Sequence, residues 1–362
     1  MPKKTPDTEC VRHNLARLNG VRRPLRFPNP KGMEPLADLL EQSWKELARH
    51  LASSNLSMSR PSVTRVGTLG VHAVRPRTHI RERPKLRARH WRGKRFVLQA
   101  DVSQFYSSIY THSIPWALDG KAHTKRHRSG GVGNDLDAAV QRLVSGQTAG
   151  LPIGPDTSFA LAEVILTSVD VKIQEALPGL SGFRYLDDYE LAFRAREAAD
   201  QAVVVLETSL AEFELLFNPS KTRILELPLP VSESWTHELS AFALRTETEK
   251  QALNDVIALF SLAAETVKRE PGALKYALYR ARDAEIKGTA MWRTFRGLVW
   301  SVVKGKPTTI AAALDLLATK SAESDLEMNT RRPARCWSPL SRCTLRCVTR
   351  AKCCGHCGQL FS

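Results

Sequence analysis

The chain has 362 residues, 43% of them hydrophobic, enough to bury a sizeable core in two or three domains and to exclude a wholly disordered protein. Its 53 Lys and Arg against 37 Asp and Glu leave a formal net charge of +16, which points to a polyanionic partner. No apolar run approaches the ~18 residues of a membrane-spanning helix, and MPKKTPDTEC carries no apolar signal core, so the expectation is a cytoplasmic protein with no membrane partner.

Residues 1–35, rich in Pro, Arg and Asn, read as an extended basic arm, with RRPLRFPNPKG (22–32) leading into a helix over about 34–52. RPRTHIRERPKLRARHWRGKR (75–95) follows, where ten basic residues, among them Arg81, Arg83, Lys85 and Arg87, face only Glu82. Phosphate neutralisation and a solvated charged face are both open readings of that run. FVLQADV within 96–110 reads as a buried strand carrying Asp101 near its end, then a turn or helix start with Phe105 and Tyr106. In GLPIGPDTSFALAEVIL (150–166) Gly150, Pro152, Gly154 and Pro155 make a tight loop, which either lets backbone approach a nucleotide closely or simply caps the helix at Asp156 or Thr157.

Helices are predicted over 159–177 and 200–217, the second with Val203, Leu206, Leu210, Phe213 and Leu216 near period 3.6. FRYLDDYELAF (183–193) sets Asp187 and Asp188 between two apolar and aromatic runs, a pattern that also suits a solvated hairpin turn. LLFNPSKT (215–222) places Lys221 after a helix and a turn. Strands and helices thus mix without strict alternation, an α+β pattern. Beyond Pro230 the pattern is all-helical: Leu253, Val256, Phe260, Ala263 and Val267 line one face, and Trp292, Phe295, Leu298, Val299 and Val302 another. From Arg331 the tail has seven basic residues and no acidic one, and holds six of the seven cysteines: Cys336, Cys343, Cys347, Cys353, Cys354 and Cys357. Cys354 and Cys357 with His356 suggest zinc, but the spacing lacks two clean ligand pairs, and an unstructured tail suits it better.

A carboxylate ending one buried strand, beside a hairpin carrying two more, is the arrangement a two-metal site requires. Two Mg²⁺ ions, or Mn²⁺ in their place, activate a 3′-hydroxyl and stabilise the departing pyrophosphate, and they neutralise like charges that would otherwise repel. Lys221 has two open readings, an ammonium that reaches triphosphate oxygens and an ordinary surface lysine.

D-x-x-x-F-Y, G-L-P-x-G-P-x-x-S, Y-x-D-D and N-x-x-K-T, in that order, resemble motifs A to D of reverse transcriptases over roughly residues 20–245. RFPNPKG, GPDTS, RYLDDYE and above all YTHSIPWA (110–117) are similar to the bacterial abortive-infection and unknown-group reverse transcriptases associated with phage defence. The resemblance implies a right-hand polymerase: fingers and palm over 36–245, an all-α helical-repeat region over 246–330 in place of the thumb, and the tail 331–362 apart. That helical region is shorter than the family leads one to expect.

The same resemblance makes Asp101, Asp187 and Asp188 the catalytic metal ligands, with Tyr106 near the sugar, Gly154 beside the nucleotide and Lys221 near the phosphates. Phe105 is the alternative for the sugar. The implied activity is RNA-directed DNA synthesis from dNTPs on an RNA template, a cognate non-coding RNA, with a DNA product; a homo-oligomer is compatible with it. Priming from a side-chain hydroxyl, with Tyr276 and Tyr279 as candidates, and a non-catalytic RNA-binding scaffold are the other readings.

Overall fold

The structure, a computed structural model, describes residues 7–16, 22–64, 72–232, 234–244, 248–268, 270–286 and 288–323. The cysteine-rich tail and its zinc reading lie outside the described residues. The chain divides into two compact units, one of Met1–Asn14 with Pro24–Val231, the other of Leu15–Arg23 with Ser232–Ser362.

The N-terminal segment read as an extended arm forms a two-stranded sheet of β1 (Val11–Ala16) and β2 (Arg22–Phe27). Helix α1 (Pro30–Leu51) starts about one turn earlier than its apolar periodicity suggests. Asn29 caps it, accepting from the Lys31 amide at 3.0 Å, and Pro30 fills a first-turn position that needs no amide hydrogen. After the short antiparallel pair β3 (Pro61–Val63) and β4 (Val74–Pro76), the basic run folds as a 3₁₀ turn (Ile80–Glu82) and α2 (Arg83–His90). Short helices α3 (Phe105–Ser108), α4 (Ser113–Asp119) and α5 (Lys121–Arg126) precede α6 (Val132–Leu143).

The centre of this unit is a four-stranded antiparallel sheet in the order β6 (Ser181–Tyr185), β7 (Asp188–Phe193), β5 (Phe96–Asp101), β8 (Arg223–Glu226). Period-2 burial separates its faces. Leu98, Ala100, Tyr189, Leu191 and Phe193 enter the main core with α1, α6, α7 (Asp156–Ala176) and α8 (Arg196–Ala211). Val97 and Ala192, paired in register, point the other way and are covered by Trp91, Leu227 and Leu229.

Helix α8 ends at Ala211, short of the predicted 217, because Glu214 adopts φ +58° and the Leu215 amide turns back to the Leu210 carbonyl. That turn sends residues 215–218 along the end of β5: the Ser103 amide donates to the Leu216 carbonyl and the Asn218 amide to the Asp101 carbonyl, both at 2.7 Å.

The second unit is helical, as its periodicity predicts: α9 (Ser234–Ala241), α10 (Glu249–Thr266), α11 (Ala273–Arg280), α12 (Thr289–Gly305) and α13 (Ile310–Glu323). Its core includes Val256, Phe260, Leu278, Phe295, Val299 and Leu316. The division falls at Val231/Ser232 rather than 245, because α9 contributes Leu239 to this second core, with Trp235 packed against it.

Gly182 in β6 is fixed by space. A Cβ there would stand 2.5 Å from the Glu190 carbonyl oxygen and 2.8 Å from the Leu191 Cα, both backbone atoms that cannot yield cheaply. Gly182→Ala should lower stability by about 1–3 kcal/mol, read as a drop in denaturation midpoint at unchanged m-value.

Candidate active site

The register of β5 on β7 sets Asp101 directly opposite Asp188, so both side chains leave the same face of the sheet, the one away from the main core. Asp187 occupies the turn between β6 and β7, where its carbonyl accepts from the Val102 amide at 3.2 Å. Before it, Leu186 sits at φ +54°, a conformation that costs an L-residue roughly 1–2 kcal/mol. The three sequence-predicted aspartates are therefore gathered at one strand end and one hairpin turn.

Their electrostatics follow from that placement. Burial, and then the neighbouring Asp188 carboxylate, push Asp187 up to about 6. Burial also raises Asp188, against which the Arg83 guanidinium acts, with Arg83 Nη1 3.5 Å from Asp188 Oδ2. Lys221 donates to Asp101 Oδ2 at 2.7 Å. An Asx turn aims it there: the Ser220 amide and hydroxyl donate to Asn218 Oδ1 at 3.2 and 2.7 Å, and the Lys221 amide to the Asn218 carbonyl at 3.1 Å. Lys221 was expected near phosphates, and the structure sets it on a carboxylate of the same cluster.

Among the described residues no three His, Cys, Asp or Glu side chains form a ready-made metal cage. Asp101, Asp187 and Asp188 are nevertheless the carboxylates available here to a hard divalent cation. Mg²⁺ is commonly held by one or two carboxylates together with substrate phosphates rather than by an all-protein cage.

Tyr106 is partly buried against the main core, whereas Phe105, the alternative sugar contact, is 4% exposed and belongs to that core. Its ring leaves nothing to present to a nucleotide. The loop carrying Gly154 is tied to the same segment, since the Leu151 amide donates to the Tyr106 carbonyl at 2.7 Å and the Gly150 amide to the Ile109 carbonyl at 2.8 Å. Gly150 and Gly154 have φ of +87° and +126°, which glycine adopts without strain. Asp156 does not cap α7 with its side chain but accepts from the Val74 amide at 3.1 Å.

The basic run separates into two kinds of residue. Arg81 is exposed and Lys85 pairs only with Glu82, at 2.8 Å on the surface. Arg83 and Arg87 turn inward onto Glu190, whose side chain is 1% exposed: Arg83 Nε and Arg87 Nη2 donate to Glu190 Oε1 at 2.8 and 2.7 Å, and Arg87 Nε to Oε2 at 2.9 Å. Glu190 went unnoticed in the sequence, although a carboxylate two residues beyond Asp188 must leave the same face of the strand. Arg83 and Arg87 are thus structural partners of the carboxylate face rather than free phosphate ligands.

No protein-family model matches the chain, and no curated protein matches it. Among solved structures, telomerase from Candida albicans with the TWJ fragment of telomeric RNA is similar over 89% of this chain and 63% of that one, at 12% identity and a TM-score of 0.41. Apo telomerase from Candida tropicalis is similar over 90% and 60%, at 11% identity and a TM-score of 0.45. The chain spans less than two thirds of the length of either structure, and a likeness at these scores carries no argument for this chain.

Glu190→Ala strands two arginine charges and should cost about 3 kcal/mol of stability, whereas Lys85→Ala should stay within about 0.5 kcal/mol. Equal costs in chemical denaturation would contradict this division of the basic run.

Proposed function

We propose that the first unit holds the fingers and palm of a reverse transcriptase, adding dNMPs to a DNA strand copied from RNA. One observation carries the reading: Asp101 and Asp188 stand in register on one face of the sheet with Asp187 in the adjoining turn. Two of the motifs in the polymerase resemblance, D-x-x-x-F-Y and Y-x-D-D, supply those three aspartates, and N-x-x-K-T supplies the Lys221 beside them.

Asp101, Asp187 and Asp188 would hold two divalent cations, which when bound supply the Lewis acidity for in-line displacement at a nucleotide phosphorus. This chain's own groups do the rest. The strand end and hairpin fix the ligand carboxylates on a rigid sheet. Lys221, held by the Asn218 turn, places an ammonium at the same cluster, where it can meet triphosphate oxygens. The loop from Gly150 to Pro155, tied to the Tyr106 backbone, brings an unshielded glycine to the nucleotide side. Tyr106 meets the sugar, where a ring under the ribose collides with a 2′-hydroxyl.

The template is an RNA, and the exposed basic residues Arg81 and Lys85 contribute to holding its backbone. The string YTHSIPWA supports the finer placement among abortive-infection and unknown-group enzymes, with a cognate non-coding RNA as template and a role in antiphage defence. Protein priming draws on one structural feature. Tyr279 is 45% exposed on α11, whereas Tyr276 is packed edge-on against Trp235. Of the two tyrosines, Tyr279 is the more exposed and the better candidate for such priming.

The paired variant Asp187→Asn with Asp188→Asn should lose dNMP incorporation by about 10³-fold, the scale of removing preorganised electrostatic stabilisation. Its RNA affinity, measured by filter binding, should be unchanged. Incorporation at the wild-type rate would refute the assignment.

Tyr106→Ala should retain dNTP addition and raise the rNTP to dNTP incorporation ratio about tenfold, the equivalent of ~1.4 kcal/mol. An active variant with unaltered sugar choice would remove Tyr106 from the site.

A further inference from the structure

We propose that Arg184 and Ser59 are positioning residues for the catalytic hairpin: with Glu163 and Asp170 they grip the backbone of Leu186 and thereby set where Asp187 and Asp188 stand. The inference rests on the polymerase reading above and adds to it a device inside the fold.

Arg184 lies on β6, and its side chain is fully buried. Its five N–H groups all find acceptors. Nε donates to Asp170 Oδ1 at 2.9 Å, and Nη2 to Asp170 Oδ2 at 2.8 Å and to Glu163 Oε2 at 3.1 Å. Nη1 donates to Glu163 Oε1 at 2.9 Å and, with its remaining hydrogen, to the Leu186 carbonyl at 2.8 Å. Glu163 and Asp170 stand seven residues apart on α7, two turns along one face, so a single guanidinium reaches both. The remaining acceptor positions are taken by hydroxyls: Ser57 and Ser59 donate to Glu163 at 2.8 Å, and Ser54 and Tyr189 to Asp170 at 2.6 and 3.0 Å. Ser59 Oγ also accepts from the Leu186 amide at 2.7 Å.

Both polar groups of the Leu186 backbone therefore end in one buried network, and Leu186 is the left-handed residue immediately before Asp187. Stability alone gives no reason for such a network, because an apolar set of the same volume commonly serves a core as well or better. A fixed fork of donors aimed at a strained turn gives one. Arg rather than Lys is needed, since an ammonium has three donors and no planar fork with which to hold two carboxylates and a carbonyl together.

The test uses the full chain with Ser59→Ala, which keeps every Arg184 bond and removes only the anchor on the Leu186 amide, and Arg184→Lys, which keeps the charge. Hydrogen exchange of the hairpin peptide should quicken in both while α7 stays protected. With an RNA template, kcat should fall about tenfold or more, since small misplacements of reacting groups cost that much, while the KM for dNTP stays within about threefold.

Unchanged hairpin exchange and kcat in a folded variant would overturn the inference alone, leaving the polymerase reading intact. A Ser59→Ala chain that fails to fold would make the network a stability element and overturn it too. If only Arg184→Lys fails to fold, Ser59→Ala decides. A wild-type chain that incorporates no dNMP would overturn the polymerase reading and this inference with it.

Discussion

Two carboxylates directly opposite each other on an antiparallel pair repel, and that repulsion organises the first unit. Asp101 and Asp188 share one sheet face, and burial of Asp187 beside them adds to the cost, as its pKa near 6 records. Positive charge is set against them from two directions, Lys221 on Asp101 and Arg83 towards Asp188. Under the proposed function, divalent cations and a triphosphate would neutralise the negative charge that Lys221 and Arg83 leave at this cluster.

Further charge pairs surround the cluster. Glu190 anchors Arg83 and Arg87 on the outer face of β7, while Glu163 and Asp170 anchor Arg184 on the core side. The carboxylates of α7 hold Arg184 charged despite a burial that by itself lowers its pKa, and burial in turn raises Asp170. The two strands of the hairpin thus carry buried charge pairs on opposite faces, Glu190 of β7 on one and Arg184 of β6 on the other.

Much of this was legible in the residues. The apolar run ending at Asp101, the hairpin at Asp187-Asp188 and the helical stretch after Pro230 each follow from period and turn chemistry, and each appears where the pattern puts it. The start of α1 and the end of α8 escaped, because Asn29 and Glu214 act through a cap and a single left-handed residue, and such signals are weaker than apolar period. The inward turn of Arg83 and Arg87 escaped for a different reason. A run of ten basic residues reads as one surface, and only the register of β7 reveals that Glu190 divides it. Arg184, Glu163 and Asp170 were visible as charges inside apolar segments, but their mutual reach depends on how α7 lies across β6, which local pattern does not encode.

Extension of a primer annealed to a defined RNA, with all four dNTPs and Mg²⁺, tests the central claim most directly when the product is sequenced. The account predicts DNA complementary to the template up to its 5′ end. A product unrelated to the template, or no extension by a folded chain with its RNA bound, would contradict it.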